Sequence, residues 1–318
     1  MASVTLVESA KLSQDMLIAG VIESIVTVDR FFEVLPFLEI EGNALAYNRE
    51  AALGDVENLA VGGTIVAKAA ATFTKVTTSL TTIIGDAEVN NLIKTTRSNF
   101  TDQKAAQVMS KAKNIGLTYR DQYVNGTGAS DTVQGLISLV AAAAASQTLV
   151  AAARDGGAGT NGDQLSFLVM DELIDIVKDK NGIVDYFMMN SREIRAFFVL
   201  LRAQGGATIQ ETVTLPSGAT VPGYRGVPIF RNDNIPLDET VGSNDTSAHI
   251  FAGTLDDGSN QVGISGLTAV GESGIRVSEI GEHQSKDESI TRVKFYCGFA
   301  LFSELGVAAA TGIGGATT

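Results

Sequence analysis

Residues 44–86 set the hardest constraint in this sequence, because they cannot fold by themselves. An alternating run, Leu38-Glu39-Ile40-Glu41, turns at Gly42-Asn43 and continues from Ala44 to Tyr47 as a strand. Further on, Phe73 to Ile84 is rich in Thr and Val, with Val76, Thr78, Leu80, Thr82 and Ile84 on one face at period two. Between these strands, Glu50 to Ala71 is rich in Gly and Ala and has few large side chains. No core can form there. The expected element is a long two-stranded excursion with a soft tip, and such a ribbon is marginal in water. Something outside it must hold it, which points to packing between subunits.

Thr101 to Val124 imposes the second constraint. It reads as one uninterrupted helix, with Ala105, Val108, Ala112, Ile115, Tyr119 and Tyr123 stacked along one stripe at steps of three and four. Gln103, Gln107, Ser110, Asn114 and Asp121 fall on the opposite side. Thr101 or Asn99 can cap its start, and Asn125-Gly126-Thr127-Gly128 ends it. At 1.5 Å per residue this rod runs roughly 36 Å, and the rest of the chain must cover its apolar side.

The flanking segments predict an α+β chain. Residues 5–29 read as an amphipathic helix, or a helix with an extended lead, with Leu12, Met16, Ala19, Ile22 and Ile25 near one face. The run Phe31-Phe32-Glu33-Val34-Leu35-Pro36-Phe37 follows, and Pro36 biases Leu35 toward extended backbone. Such an aromatic arm is expected to pack on something else, a neighbouring subunit included. Ala87 to Phe100 reads as a short helix that breaks at Ser98-Asn99. Thr132 to Ala153 is ambiguous between helix and strand. Leu165 to Lys180 is helical, Asp185 to Met189 is a buried strand, and Asn190 caps a helix from Ser191 to Ala203 with Glu193 at the capping-box position. Pro216-Ser217-Gly218 turns a hairpin, Tyr224 to Phe230 starts a strand, and Asn234-Ile235-Pro236 breaks it. Three or four more strands are expected, at Ala248–Ala252, Gln261–Gly266, Gly274–Ile280 and Ile290–Phe302. The last alternates Val293, Phe295 and Cys297 against Arg292, Lys294 and Tyr296. The tail from Gly312 to Thr318 is expected to fray. No succession of parallel βαβ units is present.

Composition narrows the function. The net charge is −13 and the pI near 4.6, so a tight grip on nucleic acid phosphates is not expected; enclosure without tight binding remains open. Cys297 is the only cysteine, which rules out an intramolecular disulfide. Met1-Ala2-Ser3-Val4 does not begin a secretory signal, and Ser146, Gln147 and Thr148 interrupt the longest apolar stretch, so no membrane span is expected.

Motifs for chemistry are weak. Gly157-Ala158-Gly159-Thr160-Asn161-Gly162 matches a dinucleotide fingerprint, and Asp179 falls where a ribose-binding acid would. No clear strand precedes it and no βαβ series follows, so the better reading is a loop. His249, His283 and Cys297 are too far apart in sequence to suggest a metal or nucleophile site. Asp256-Asp257-Gly258 reads as a tight turn and lacks the spaced acids of a calcium loop. Glu272, Glu279, Glu282, Asp287 and Glu288 crowd one region, but a solvated acidic surface fits them better than paired glycosidase acids. Asn-x-Ser/Thr occurs at Asn99, Asn125 and Asn244 without a secretory route to give it meaning. No catalytic, cofactor-binding or metal residue is assigned.

The order of the parts carries more than any motif. Leu35-Pro36-Phe37 and Ile40-Glu41-Gly42-Asn43 precede the β-excursion, and the long helix ends in Tyr123-Val124-Asn125-Gly126-Thr127-Gly128. Gln134-Gly135-Leu136-Ile137, Met188-Met189-Asn190-Ser191-Arg192, Tyr224-Arg225-Gly226-Val227-Pro228-Ile229 and Gly298-Phe299-Ala300-Leu301 follow in turn. Taken together this series resembles a major capsid protein of tailed bacteriophages, over nearly the whole chain.

The resemblance implies an N-arm at 1–36, an extended loop at 37–86 lying over an adjacent subunit, a peripheral domain with its spine helix at 87–128, and an axial domain at 129–268. Residues 269–318 would return to the peripheral domain as long strands and a tail. It further implies pentamers and hexamers in an icosahedral shell around packaged double-stranded DNA, assembled in the host cytoplasm and located in the virion. A separate scaffolding protein, a portal and decoration proteins would be partners, with no cofactor and no enzymatic activity. Some such proteins join a loop lysine to an asparagine covalently, and Lys68 and Lys75 lie in the matching segment. An encapsulin-type compartment is the alternative; a nucleotide-binding α/β enzyme resting on the Gly157 loop is a distant third.

Overall fold

A computed structural model describes residues 30–92, 95, 103–129, 131–143, 145–151, 162–179, 182–203, 211–241, 244–272 and 274–314 of the 318. The expected helix at 5–29, the break at Ser98-Asn99 and the cap at Thr101 or Asn99 lie outside these residues.

The described chain opens with a single helical turn, α1 (Phe31–Val34). Leu35 leaves it at φ −63°, ψ 119°, as the residue before a proline should. Strand β1 (Phe37–Ile40) leads to β2 (Ala44–Ala52), β3 (Thr72–Ser79) and β4 (Thr81–Asn90). The rod is α2 (Gln103–Asn125). After it come α3 (Leu136–Ala142), β5 (Thr148–Val150), β6 (Asp163–Gln164), α4 (Phe167–Lys178), β7 (Tyr186–Met189) and α5 (Ser191–Ala203). Strands β8 (Thr212–Thr214), β9 (Thr220–Tyr224), β10 (Val227–Arg231), β11 (Glu239–Val241) and β12 (Asn244–Gly253) follow. The chain closes with β13 (Ile264–Ala269), β14 (Ile275–Glu282), β15 (Glu288–Leu301) and β16 (Val307–Gly314).

Strand β15 organises the rod's sheet. It pairs antiparallel with β4 from Glu288↔Asn90 to Cys297↔Thr81, with β14 from Ile275↔Phe295 to Glu282↔Ser289, and with β13 from Ile264↔Leu301 to Thr268↔Cys297. Strand β1 adds to β13 in parallel. Val293, Phe295 and Cys297 alternate inward along β15 and meet the rod's stripe of Val108, Ala112, Ile115, Tyr119 and Tyr123, all buried. Each large side chain in this layer contributes roughly 1.5–3 kcal/mol by leaving water. Gln107, Ser110, Asn114 and Asp121 lie on the exposed side.

The second sheet has nine strands, β5-β16-β12-β7-β10-β9-β8 with β11 beside β12 and β6 beside β16. Strand β7 is buried along its whole length because both of its faces are covered. Tyr186 and Met188 face the rod's core; Phe187 and Met189 face a second core under α4 and α5, with Met170, Leu173, Val177 and Phe197. Phe31 wedges the two halves together: its ring centroid lies 4.9 Å from Tyr123, 4.8 Å from Tyr186 and 5.5 Å from Phe230. Part of the aromatic arm expected to pack on something else, Phe31 and Phe32, is therefore a plug in its own subunit's core.

Several local expectations are corrected. Ala87 to Asn90 is strand, not helix, because Ala87 and Val89 bury against the β15 layer. Phe73 to Ile84 is two strands. Val76, Thr78 and Leu80 share a half-buried face, but Thr82 and Ile84 are exposed, since the chain changes partner from β2 to β15 at Leu80. The part that leaves the body is thus 44–79, while β1 and Thr81–Asn90 lie in the rod's sheet. Tyr224 to Phe230 is a hairpin, turned at Arg225 (φ 52°) and Gly226 (φ 83°), the positive-φ pair that a tight two-residue turn requires. Gly312 to Gly314 does not fray: it ends β16, which pairs with β12, β5 and β6 in the nine-stranded sheet and not with β15. Asn190 caps α5 by accepting from the Arg192 amide at 3.2 Å, while the Glu193 carboxylate takes the Arg192 guanidinium at 2.7 Å.

Candidate assembly interface

The ribbon is the part of the molecule least explained by its own subunit. Strands β2 and β3 pair from Ala44↔Ser79 to Ala52↔Thr72, with a bulge between Glu50 and Ala52. The Leu80 amide donates to the Asn43 carbonyl at 2.9 Å and closes the base. Beyond the paired strands, 53–71 is irregular and bonds only to itself among the described residues. Asp55 N–H donates to the Ala69 carbonyl at 3.0 Å, and Val66 N–H to the Glu57 carboxylate at 2.6 Å. Leu53, Val56, Val61 and Val66 are 78, 94, 110 and 78% exposed, and Ile65 and Phe73 are exposed beside them. A run of uncovered aliphatic side chains on a thin ribbon is a candidate docking surface. Lys68 and Lys75 are both exposed on the same segment.

The lower ribbon is clamped to its own subunit at one corner. Leu38, Leu45, Tyr47 and Leu80 pack around Ile40, Leu267, Ala300 and Phe302. Tyr47 Oη donates to the Leu301 carbonyl at 2.6 Å and its ring meets Phe302 edge-on at 5.3 Å. Arg49 donates through Nε to the Phe302 carbonyl at 3.1 Å, through Nη2 to the Leu301 carbonyl, and through Nη1 to the Glu304 carboxylate. Sequence reading missed Arg49 entirely, and a lone arginine in an alternating strand offers no local signal of such a role.

The residues considered for chemistry are dispersed. Gly157 and Gly159 lie outside the described residues. Gly162 sits against the Gly312 carbonyl, and Asp179 lies at the far end of the 12-residue α4, about 18 Å along the helix by its rise. His249 is in the nine-stranded sheet, with Nδ1 3.0 Å from the Glu239 carboxylate and its ring stacked on Phe251. His283 Nδ1 accepts from the Ser285 amide at 3.1 Å just past β14. Cys297 is buried under the rod, and burial pushes its thiol up to about 12. Among the described residues no cluster of His, Cys, Asp and Glu could hold a metal.

The acids are mostly engaged separately. Glu272 meets Lys294 at 2.9 Å, Glu279 pairs with Lys104, Asp287 accepts from Asn91 at 2.7 Å and Glu288 lies 3.7 Å from Lys286; Glu282 is exposed. Asp256 and Asp257 accept from the Asn260 and Ser259 amides at 3.0 and 2.9 Å, closing their own turn. Asn125 Nδ2 donates to Asp121 and to the Asn234 carbonyl, both at 2.8 Å. Arg30, Arg120, Ile194, Phe230, Arg231 and Asp233 line a cleft between the rod and the β9–β10 hairpin. Its Arg231 is held by Asp233 at 3.0 Å, and Arg30 lies 3.8 Å from Glu33.

Comparison with known proteins places this architecture. No protein-family model matches the chain, and no curated protein matches it in sequence. Solved structures do match. The chain is similar to the holo-SrpI encapsulin complex of Synechococcus elongatus, at 18% identity and TM-score 0.68, over 89% of this chain and 87% of that one. It is similar to the capsid of cyanophage A-1(L) at 10% identity and TM-score 0.67, over 89% and 92%. The capsid of an empty GTA particle matches at 14% identity and TM-score 0.60, over 89% of each chain. The chain has the capsid-shell fold. The α+β class and the tailed-phage capsid architecture expected from the order of parts are thus those observed. Within the capsid-shell fold, the ribbon with its aliphatic tip is the element whose surface is left over once the subunit is complete.

Proposed function

We propose that this chain is the repeating structural subunit of a closed shell: an icosahedral bacteriophage capsid, built of pentamers and hexamers, that encloses double-stranded DNA. The single observation that carries the proposal is the ribbon tip. A segment with Val56 and Val61 almost wholly in water has no place in a finished monomer, and a second copy of the chain would bury it. In this reading the protein works without catalysis, cofactor or metal. Its DNA is enclosed and not gripped, in keeping with the net charge of −13. A separate scaffolding protein, a portal and decoration proteins would assist in the host cytoplasm before the shell becomes the virion coat.

The likeness to an encapsulin at TM-score 0.68 favours one second reading, a protein compartment that houses an enzyme. Electron microscopy of the purified or co-expressed protein separates the two. Closed shells containing DNA support the capsid reading, and shells containing protein cargo support the compartment. A chain that stays monomeric at high concentration, alone and with its scaffolding partner, overturns both.

A further inference from the structure

We propose that Arg49 sets the angle at which the ribbon leaves the subunit, and through that angle the curvature of the assembly. The inference rests on the shell reading above and names the residue that controls its geometry.

The ribbon is attached to the body at two levels. The first is the base, where the Leu80 amide meets the Asn43 carbonyl. Two strands alone are marginal in water, so the ribbon's direction has to come from contacts with the body: Leu45 and Leu80 packing near the base, and polar bonds further along. The second level is Arg49, six residues beyond Asn43 and about 20 Å from the base at 3.4 Å per residue. Past Arg49 no hydrogen bond joins the ribbon to the body among the described residues; the bonds of Asp55 and Val66 stay inside the tip. A lever held at its base and at the Tyr47–Arg49 corner has its direction fixed by that corner, where Arg49 makes most of the bonds.

The chemistry at that point suits a positioning role. The guanidinium fork meets the Leu301 and Phe302 carbonyls and the Glu304 carboxylate together. All three acceptors lie on one corner, where β15 ends and a short turn at Glu304–Gly306 begins. A planar fork that bonds three acceptors fixes direction as well as distance, which an ammonium on a flexible stem does not. Tyr47 backs the fork: its hydroxyl shares the Leu301 carbonyl, and its ring carries the Arg49 guanidinium 5.6 Å from the centroid. The corner belongs to the strand that packs on the rod, so the ribbon is referenced to the subunit's buried core layer.

The test uses the full chain with R49A and, because Arg49 is largely buried, E304A as a second variant at a more exposed position. Hydrogen exchange on the unassembled subunit reads the latch directly. R49A is expected to speed exchange of the β2 and β3 amides by about tenfold or more while the β15 amides opposite β4 stay protected. Unchanged ribbon exchange overturns the proposal. Electron microscopy of the assemblies reads the consequence: the parent gives one shell diameter, and R49A is expected to give several diameters or open sheets. Shells of the parent's single diameter from R49A overturn the link to curvature. If R49A does not fold, E304A is read by the same two measurements with the same expectations in weaker form. Failure of the parent to form any shell overturns the shell reading instead, and the exchange experiment still decides the latch.

Discussion

Tyr119 of the rod lies nearly flat on Phe299 of β15, with ring centroids 4.8 Å apart and planes 21° from parallel. Phe295 and Phe32 close on the same tyrosine at 5.1 and 5.2 Å. Its hydroxyl is buried without a hydrogen-bond partner, and burial drives the phenol well above its ordinary pKa. The ring and the hydroxyl therefore act in opposite directions. Y119A is expected to destabilise the subunit by about 3–5 kcal/mol, the usual range for removing a buried aromatic ring. Y119F keeps the ring and removes a buried donor that costs about 1–3 kcal/mol to leave unbonded, so it should melt at or above the parent. Thermal denaturation of the unassembled subunit checks both, and a Y119F that melts well below the parent shows that the hydroxyl has a partner in solution.

The rod stops at Gly126 for a reason other than backbone freedom. Gly126 N–H donates to the Gln122 carbonyl at 2.9 Å, and its own carbonyl accepts from Gly135 N–H at 2.7 Å. A Cβ there would fall 2.1 Å from the Val133 carbonyl oxygen and 2.5 Å from that of Gln122. Both obstacles are backbone and cannot rotate away. Gly128, by contrast, holds φ 71° but would place its Cβ near the Gln134 side chain. G126A is expected to lose more stability than G128A, with the latter limited to about 1–2 kcal/mol of left-handed strain. Soluble yield and melting temperature of the pair check the order, and equal losses would mean the crowding at Gly126 relaxes.

The elements that could be read in advance are those with one buried face. The stripe on the rod and the alternation of Val293, Phe295 and Cys297 were legible because each faces water on its other side. Strand β16 was not, since Ala308, Ala309 and Ala310 are buried on both faces and small on both, and leave no period to find. The switch at Leu80 was hidden for a different reason: the new partner, β15, lies more than two hundred residues on, and composition does not change across the switch. Arg49 is the extreme case, with acceptors 252 to 255 residues away. The tip's aliphatics were visible as residues, but their exposure is a property of the completed fold.

Asp86 on β4 stands opposite Arg292 on β15, and the two share a pair of 2.8 Å hydrogen bonds. The bond from Arg292 holds the carboxyl below its ordinary pKa despite partial burial. A carboxyl depressed in the folded state binds fewer protons there than in the unfolded chain. Its stabilisation is therefore present above the ordinary carboxylate pKa of about 3.9 and is lost as pH falls through the lower folded value. Both side chains are about a third exposed, so the effect is modest. D86N is expected to melt below the parent at neutral pH, with the gap closing as pH falls below 4. A gap that stays constant down to the acid end shows that Asp86 stabilises by shape and not by charge.

The tip of the ribbon offers the sharpest separation of folding from assembly. Val56 and Val61 make no use of their own subunit, being 94 and 110% exposed. Substitutions at such sites usually leave subunit stability within about 0.5 kcal/mol. V56D and V61D should therefore melt with the parent. In an assembly the same residues would leave water, where a bare carboxylate opposite an apolar neighbour is strongly unfavourable. Sedimentation and electron microscopy are expected to find folded subunits and small oligomers but no closed shells. A serine at each position, which adds polarity without charge, should fall between aspartate and the parent. Normal shells from V56D and V61D together would mean the tip stays in solvent after assembly, and the docking surface would have to be sought elsewhere on the subunit.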